Sequence, residues 1–341
     1  MRIAVTGATG FVGRHACARL AARGHDVTAL VRRASTAPAG TREVVLGDLD
    51  GSAVPSAALG RLDAVVHLAA RVHVMRDRSA DPLAEFRRVN VDGTLALARA
   101  AVAAGVPRLV FVSSVKVLGE RAGDGTSAFR VGDVPAPVDP YGVSKHEAEQ
   151  ALRTLASATG LGVAVVRPPL VHGPGVGGNV ARIARLVRAG VPLPLGAVDN
   201  ARTMVSVRTL AAVLEGAAVS PDAAGATVLA ADSRSFSSAE LARLLGEGLG
   251  RPARLVPVAP ALLRAAGRAT GRLDDVDRLT SSLRVEPGSN TAFSWVEESD
   301  PADELRATGA WFRSGPSAHA RPASASASAS ADVIAPRGGA A

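Results

Sequence analysis

Cysteine is almost absent from this 341-residue chain: Cys17 stands alone. That excludes an internal disulfide, leaves no cysteine cluster for zinc, and fits a reducing, cytoplasmic setting. Long apolar runs are missing as well, since none reaches the roughly 18 to 20 uncharged residues that a membrane-spanning helix needs. The apolar start behind Arg2 is broken by Gly7, Gly10 and Gly13, so it reads as strand and turn rather than as a secretory leader. Aromatic residues make up only 3% of the chain, and the net charge of +8 is dispersed without a basic run. Nucleic acid is therefore not an expected partner. The excess positive charge would instead help attract an anionic, phosphate-bearing substrate. Lysine and tyrosine are the scarcest informative residues: Lys116, Lys145 and Tyr141 are all there are.

What is present is the composition of a globular protein, 47% hydrophobic and 21% charged, with more residues than one hydrophobic core usually takes. Short β-branched runs alternate with Ala- and Leu-rich stretches as far as residue 170 or so, the pattern of a parallel α/β sheet. We expect strands over 2–5, 26–30, 43–46, 64–67, 108–112 and 163–167, with helices including 13–23, 85–104 and 142–159. Right-handed crossovers then give a doubly wound sheet. Pro168, Pro169, Gly173, Pro174, Gly175, Gly177 and Gly178 mark a change of texture and a crossing into a second region. The expected division is 1–174 for the nucleotide-binding domain, with later segments possibly returning to it, 175–315 for a smaller substrate-binding α/β region, and 316–341 for a disordered Ala/Ser-rich tail.

The string Val5-Thr6-Gly7-Ala8-Thr9-Gly10-Phe11-Val12-Gly13 follows the first strand and opens a helix. Glycines at that junction permit the tight turn, bring backbone N–H groups close to a pyrophosphate, and let the helix lie on the sheet. The helix N-terminus adds partial positive charge for the phosphates. In this context the string points to a Rossmann-type dinucleotide site. An acidic residue at the end of the second strand would hold the ribose 2′-hydroxyl of NAD, but Val31 stands there, followed by Arg32 and Arg33. Arginine there favours a 2′-phosphate, so both NAD and NADP stay open.

Tyr141-Gly142-Val143-Ser144-Lys145 is the most informative string. On a helix the i, i+4 spacing sets both functional side chains on one face. A phenol starts near pKa 10 and is a poor base at neutral pH unless a nearby cation lowers it. A compact ammonium does this and can also reach ribose hydroxyls, which a guanidinium fork does less well. Ser113-Ser114 ends the strand 108–112, at the carboxyl edge where a doubly wound sheet carries its reactive groups.

With these residues the chain resembles the extended short-chain dehydrogenase/reductases, and among them the NAD-dependent epimerase/dehydratase family of UDP-glucose 4-epimerase-like enzymes. The resemblance runs over about residues 1–313 and includes Phe111-Val112-Ser113-Ser114 and Arg167-Pro168-Pro169 leading to His172-Gly173-Pro174. It implies Ser114, Tyr141 and Lys145 as catalytic groups, Ser114 being chosen over Ser113 by its distance from Gly119. For the cofactor it implies Gly7, Gly10, Phe11, Val12 and Gly13, then Arg32, Asp48 and Leu49 at the adenosine end. Leu68, Ala69 and Ala70, with Pro168, Tyr141 and Lys145, would run beside the rest of the dinucleotide. For the substrate it implies Ser114, Asn179 at the nucleotide and Arg202 at the diphosphate, with Arg71 and His73 near the sugar. No metal is implied, and a homodimer is a family expectation. His172 and Leu118 stand where many relatives have tyrosine, and Lys116 replaces a residue that is usually small or polar.

The implied activity is an NAD(P)-dependent 4-epimerisation of a nucleotide-diphosphate sugar, a UDP-hexose foremost, through a transient 4-keto sugar. Two alternatives remain: an NADP-dependent reductase of a keto-sugar or other carbonyl compound, which Arg32-Arg33 favours, and a non-catalytic dinucleotide sensor on the same fold. Retention of the Tyr141/Lys145 pair speaks against the sensor.

Overall fold

The computed structural model describes residues 1–72, 81–120, 127–286, 293, 295 and 299–314; His73 and the tail 316–341 fall outside the described residues. The first half alternates strand and helix: β1 (Arg2–Thr6), α1 (Phe11–Ala22), β2 (Asp26–Val31), β3 (Arg42–Val45), β4 (Ala64–His67), α2 (Pro82–Arg87), α3 (Gly93–Ala103) and β5 (Arg108–Val112). Next come β6 (Ala128–Phe129), α4 (Pro140–Thr159), β7 (Gly162–Arg167), β8 (Leu170–His172), α5 (Gly178–Ala189), β9 (Arg202–Ser206), α6 (Val207–Val219) and β10 (Thr227–Leu229). The chain continues through β11 (Ser235–Phe236), α7 (Ser238–Leu249), α8 (Pro260–Ala269), α9 (Leu273–Thr280), β12 (Arg284–Val285) and α10 (Pro301–Ser314).

Seven parallel strands form the main sheet in the order β10-β7-β5-β4-β1-β2-β3. Strands buried on both faces read as nearly unbroken apolar runs, because alternate residues feed two cores rather than one core and the solvent. In β1, Ile3 and Val5 enter the core beneath α1 and α6, whereas Ala4 enters the core beneath α3 and α4. Leu97 on α3 and Leu109 on β5 are fully buried in the second of these cores, each contributing about 1.5–3 kcal/mol. A third cluster joins α5, α7 and α10 through Val180, Leu245 and Leu305. It lies beside a small sheet in which β9 pairs with β8 and β11. The chain crosses back from this region, since β10 extends the main sheet beside β7.

Strand order turns at β1 and β4, whose paired carboxyl ends are Thr6 and His67. Such a switch point opens a crevice, and ligands of doubly wound sheets bind there.

Three helix expectations need correction. Helix α1 starts at Phe11, two residues before the expected 13. The stretch 85–104 is helical throughout but not uniformly α, because a π-helical turn over residues 88–92 lies between α2 and α3. The extra residue in that turn rotates Asn90 inward, where it is fully buried. Helix α4 starts two residues before the expected 142, at Pro140, because Asp139 caps it by accepting the N–H of Gly142 at 2.7 Å. Aspartate at the cap and proline at the first helical position are the signature of a helix start.

Candidate active site

The floor of the crevice is the β1–α1 turn. Gly7 has φ +65°, and a Cβ there would lie 2.8 Å from the Ala69 backbone N. A Cβ on Gly13 would lie 2.1 Å from the Gly7 carbonyl oxygen. Only glycine permits these approaches. No side chain caps α1 at Gly10, and its first turn holds no acidic residue, so its leading N–H groups are available to an anion. The pyrophosphate of a dinucleotide fits this donor set, with Phe11 and Val12 in the same turn.

The opposite wall is the segment Leu68-Ala69-Ala70 after β4, and a buried polar network holds it. Thr94 Oγ1 donates to the Asn90 carbonyl at 2.7 Å and so accepts the Nε2–H of His67 at 3.0 Å. His67 Nδ1 then accepts from the Thr6 hydroxyl at 2.7 Å, whose oxygen takes the N–H groups of Leu68 and Ala69 at 3.2 and 3.1 Å. Burial, with a smaller contribution from the Lys145 charge, holds the His67 pKa down at about 3. The imidazole is therefore neutral, the state this pattern of donors and acceptors requires.

On the far side of β4, Tyr141 and Lys145 occupy the first turns of α4. Tyr141 is hydrogen-bonded to Ser114, which follows β5 and caps the short helical turn 115–117 by accepting the N–H of Lys116 at 3.2 Å. Lys145 is buried; its Nζ donates to the Val112 carbonyl at 2.8 Å and lies 4.5 Å above the Phe111 ring. Burial pushes the Tyr141 phenol up to about 12, the Asp139 charge adds to this, and the bond with Ser114 opposes it. Burial pushes Lys145 down to about 7, and Glu149 on the next turn opposes that. Glu149 is itself fully buried against Arg167, accepting its Nε and Nη2 at 2.9 and 2.6 Å.

The sequence reading missed Asn90. Its Oδ1 accepts the Arg71 N–H at 2.8 Å, and its Nδ2 donates to the Arg71 carbonyl and to Ser144 Oγ, each at 3.0 Å. One amide thus ties the loop after β4 to the helix carrying Tyr141. The Arg71 guanidinium lies 5.5 Å above Phe86, and Phe86 meets Tyr141 edge-on at 6.1 Å. The available signal was Asn90-Val91-Asp92-Gly93-Thr94, where Gly93 is obligatory because a Cβ would lie 2.5 Å from the Leu49 carbonyl oxygen.

At the carboxyl end of β2, Val31 is buried and Arg32 Nη1 stands 3.5 Å from Asp48 Oδ1, both side chains largely exposed. Pro168 is buried behind the serine turn, its carbonyl accepting the Val115 N–H at 3.0 Å. Arg202 donates to the Ser281 carbonyl at 3.0 Å. Its pKa is lowered by burial and, in smaller part, by Arg278, while Glu120, which lies 3.8 Å from Lys116 Nζ, opposes this. Asn179 is the second residue of α5 and half-buried; among the described residues no hydrogen bond links its side chain to these groups.

A glycine-lined crevice at the switch point, flanked by a serine bonded to a tyrosine with a lysine one turn on, defines the short-chain dehydrogenase/reductase class. Residues 3–229 match the NAD dependent epimerase/dehydratase family, and the chain belongs to it. The UDP-glucose 4-epimerase of Vibrio cholerae is 40% identical over 286 residues, covering 83% of this chain and 87% of that protein. The crystal structure of Thermus thermophilus UDP-glucose 4-epimerase in complex with NAD is similar at TM-score 0.73 and 25% identity, over 92% of this chain and all of that one. The structure of MoeE5 in complex with UDP-glucose and NAD is similar at TM-score 0.72 and 27% identity, over 92% of this chain and 99% of that one.

Proposed function

We propose that this protein is a nucleotide-sugar 4-epimerase acting on a UDP-hexose. The observation that carries the reading is the grouping of Ser114, Tyr141 and Lys145 beside the glycine-lined crevice. The likeness to UDP-glucose 4-epimerases over most of the chain supports the choice of substrate.

A nicotinamide dinucleotide, NAD or NADP, bound along Gly7, Gly10, Gly13 and Leu68-Ala69-Ala70, would accept a hydride and return it. The residues of the chain handle the proton and the geometry. Tyr141 takes the C4 hydroxyl proton, Ser114 orients that hydroxyl, and Lys145 stabilises the phenolate. Lys145 shares one helical face with Tyr141, so its charge acts at short range. At the other end of the sugar nucleotide, Arg202 suits phosphate oxygens and Asn179 suits the base, while Arg71 borders the sugar. Returning the hydride to the opposite face of a 4-keto sugar requires the sugar to turn while its nucleotide stays held, which suits contacts concentrated at the diphosphate. The lone thiol Cys17 is buried, and burial pushes it up to about 12, in keeping with an unreactive cysteine.

One observation favours a second reading, an NADP-dependent keto-sugar reductase: Val31 stands where an acidic ribose ligand would otherwise be expected, and Arg32 follows it, its guanidinium exposed beside Asp48. The test is to denature freshly purified protein, identify any dinucleotide released, and assay UDP-hexoses for interconversion without added cofactor. Retained cofactor with 4-epimers interconverted supports the epimerase. No interconversion, with stoichiometric NADPH oxidation by a keto substrate, overturns it in favour of the reductase.

A further inference from the structure

Lys116 has no part in the chemistry described above, yet three separate contacts converge on it. Its backbone N–H donates to Ser114 Oγ at 3.2 Å. Its carbonyl is so close to α4 that a Cβ on Gly142 would lie 2.8 Å from it. Its ammonium pairs with Asp139, the carboxylate that caps α4 two residues before Tyr141. The Ser114 turn and the Tyr141 helix therefore meet at this one residue, and its charge offsets the negative charge nearest the phenol in sequence.

We propose that Lys116 is a positioning residue of the active site: it neutralises Asp139 and locks the Ser114 turn against the N-terminus of α4, keeping Tyr141 able to ionise as a base. The inference rests on the reading of Tyr141 as the proton acceptor. An aspartate at a helix cap is held there for its hydrogen bond, but an unpaired carboxylate beside a phenol raises the energy of the phenolate. Lys116 lets the cap remain at a smaller penalty.

The other charged groups around Tyr141 are largely committed. On α4, Glu147 pairs with Arg87 of α2, and Glu149 pairs with Arg167 of β7. Arg88 of the π turn pairs with Glu85 and Asp50, and Glu120 stands near Lys116 itself. Arg71 lies over Phe86, His146 neighbours Lys145 on α4, and among the described residues of α4 Lys145 is the cation on the Tyr141 face. Thus Asp139 and Lys116 are the pair whose balance one substitution changes most directly. In keeping with this, Asp139 is among the groups that raise the Tyr141 pKa.

Tyr141 is the only tyrosine in the chain, so its ionisation can be read directly without another phenol interfering. The full-length protein would be grown with 3-fluorotyrosine, saturated with NAD, and titrated by fluorine NMR and tyrosinate absorbance, in parallel with the pH dependence of kcat/KM. Lys116→Met should move both the phenol midpoint and the acidic limb of the rate profile up by about one pH unit. Lys116→Arg should restore both toward the parent, because a guanidinium also pairs with Asp139. The double variant Lys116→Met/Asp139→Asn should reverse the shift while keeping a capping side chain, and it covers the case in which Lys116→Met alone folds poorly. An unshifted phenol in Lys116→Met, or an equal shift in the double variant, overturns the proposal. The titration needs no substrate, so a parent protein without epimerase activity would sink the functional reading while leaving this inference to be judged on the phenol alone.

Discussion

Glu149→Gln isolates the buried ion pair that supports, from within, the helix carrying Tyr141. The Glu149 side chain is 0% exposed and that of Arg167 is 3% exposed, and two hydrogen bonds join them at 2.9 and 2.6 Å. Glutamine keeps the shape and one acceptor oxygen, so the change removes mainly the negative charge and leaves the guanidinium uncompensated in the interior. Breaking one partner of such a pair costs about 3–5 kcal/mol. Because glutamine retains an acceptor, we expect the lower end, a loss of about 3 kcal/mol, against total stabilities of about 5–15 kcal/mol. Urea unfolding followed through the fluorescence of Trp295 and Trp311 measures it. Replacing both partners by apolar residues, Glu149→Leu with Arg167→Met, should recover most of that loss, since the desolvation penalty disappears along with the attraction. A second consequence reaches function: Glu149 raises the pKa of Lys145, which burial has already pushed down to about 7. Both the single and the double variant should therefore hold less charge on Lys145 at neutral pH and turn over more slowly than their folded fractions allow. A single variant within about 1 kcal/mol of the parent would refute the assignment of a charged, desolvated pair.

Tyr141→Phe should retain dinucleotide binding and lose turnover by about 10²–10⁴-fold, as expected for removal of a general base; unaltered turnover in steady-state assays would sink its role. Arg32→Ala should weaken NADP about ten-fold or more through loss of a charged hydrogen bond to the 2′-phosphate, and leave NAD within about two-fold, measured by calorimetric titration of each dinucleotide. Equal effects on both would mean that Arg32 does not read the 2′ position. Gly13→Ala places a methyl 2.1 Å from the Gly7 carbonyl oxygen, and the displaced turn should abolish retention of the dinucleotide on gel filtration. His67 contributes a pH dependence of definite sign. Its folded pKa of about 3 lies below the ordinary 6.5, so between these values the unfolded chain binds the additional proton. Stability from this group is complete above pH 6.5 and is lost as pH falls toward 3, and His67→Gln should flatten that part of a urea-midpoint profile.

The central strands were legible because each is buried on both faces: 64–67 and 108–112 coincide with β4 and β5 to the residue. The glycine turn and the Tyr141/Lys145 pair were legible because their contacts are local, set by one β–α junction and one helical turn. β10, three residues long, is too short to produce a periodic signal, and only its pairing with β7 reveals that the chain returns to the first sheet.

The position of Asn90 and the role of Lys116 were illegible for a different reason. A helical pattern carries no mark of the π turn that rotates Asn90 inward, and the partners that define it, Arg71 and Ser144, lie 19 and 54 residues away in sequence. Lys116 is conspicuous as one of two lysines, but nothing in the sequence assigns its partner, since Asp139 is 23 residues further on, beyond β6. Both residues link the serine and tyrosine elements to the rest of the crevice, so their value is a property of the assembled site. A single sequence exposes the groups that react, because chemistry restricts their type and spacing. The groups that hold them in register are restricted only by the tertiary structure, which is why the Asn90 amide and the Lys116 ammonium emerge once the elements are in contact.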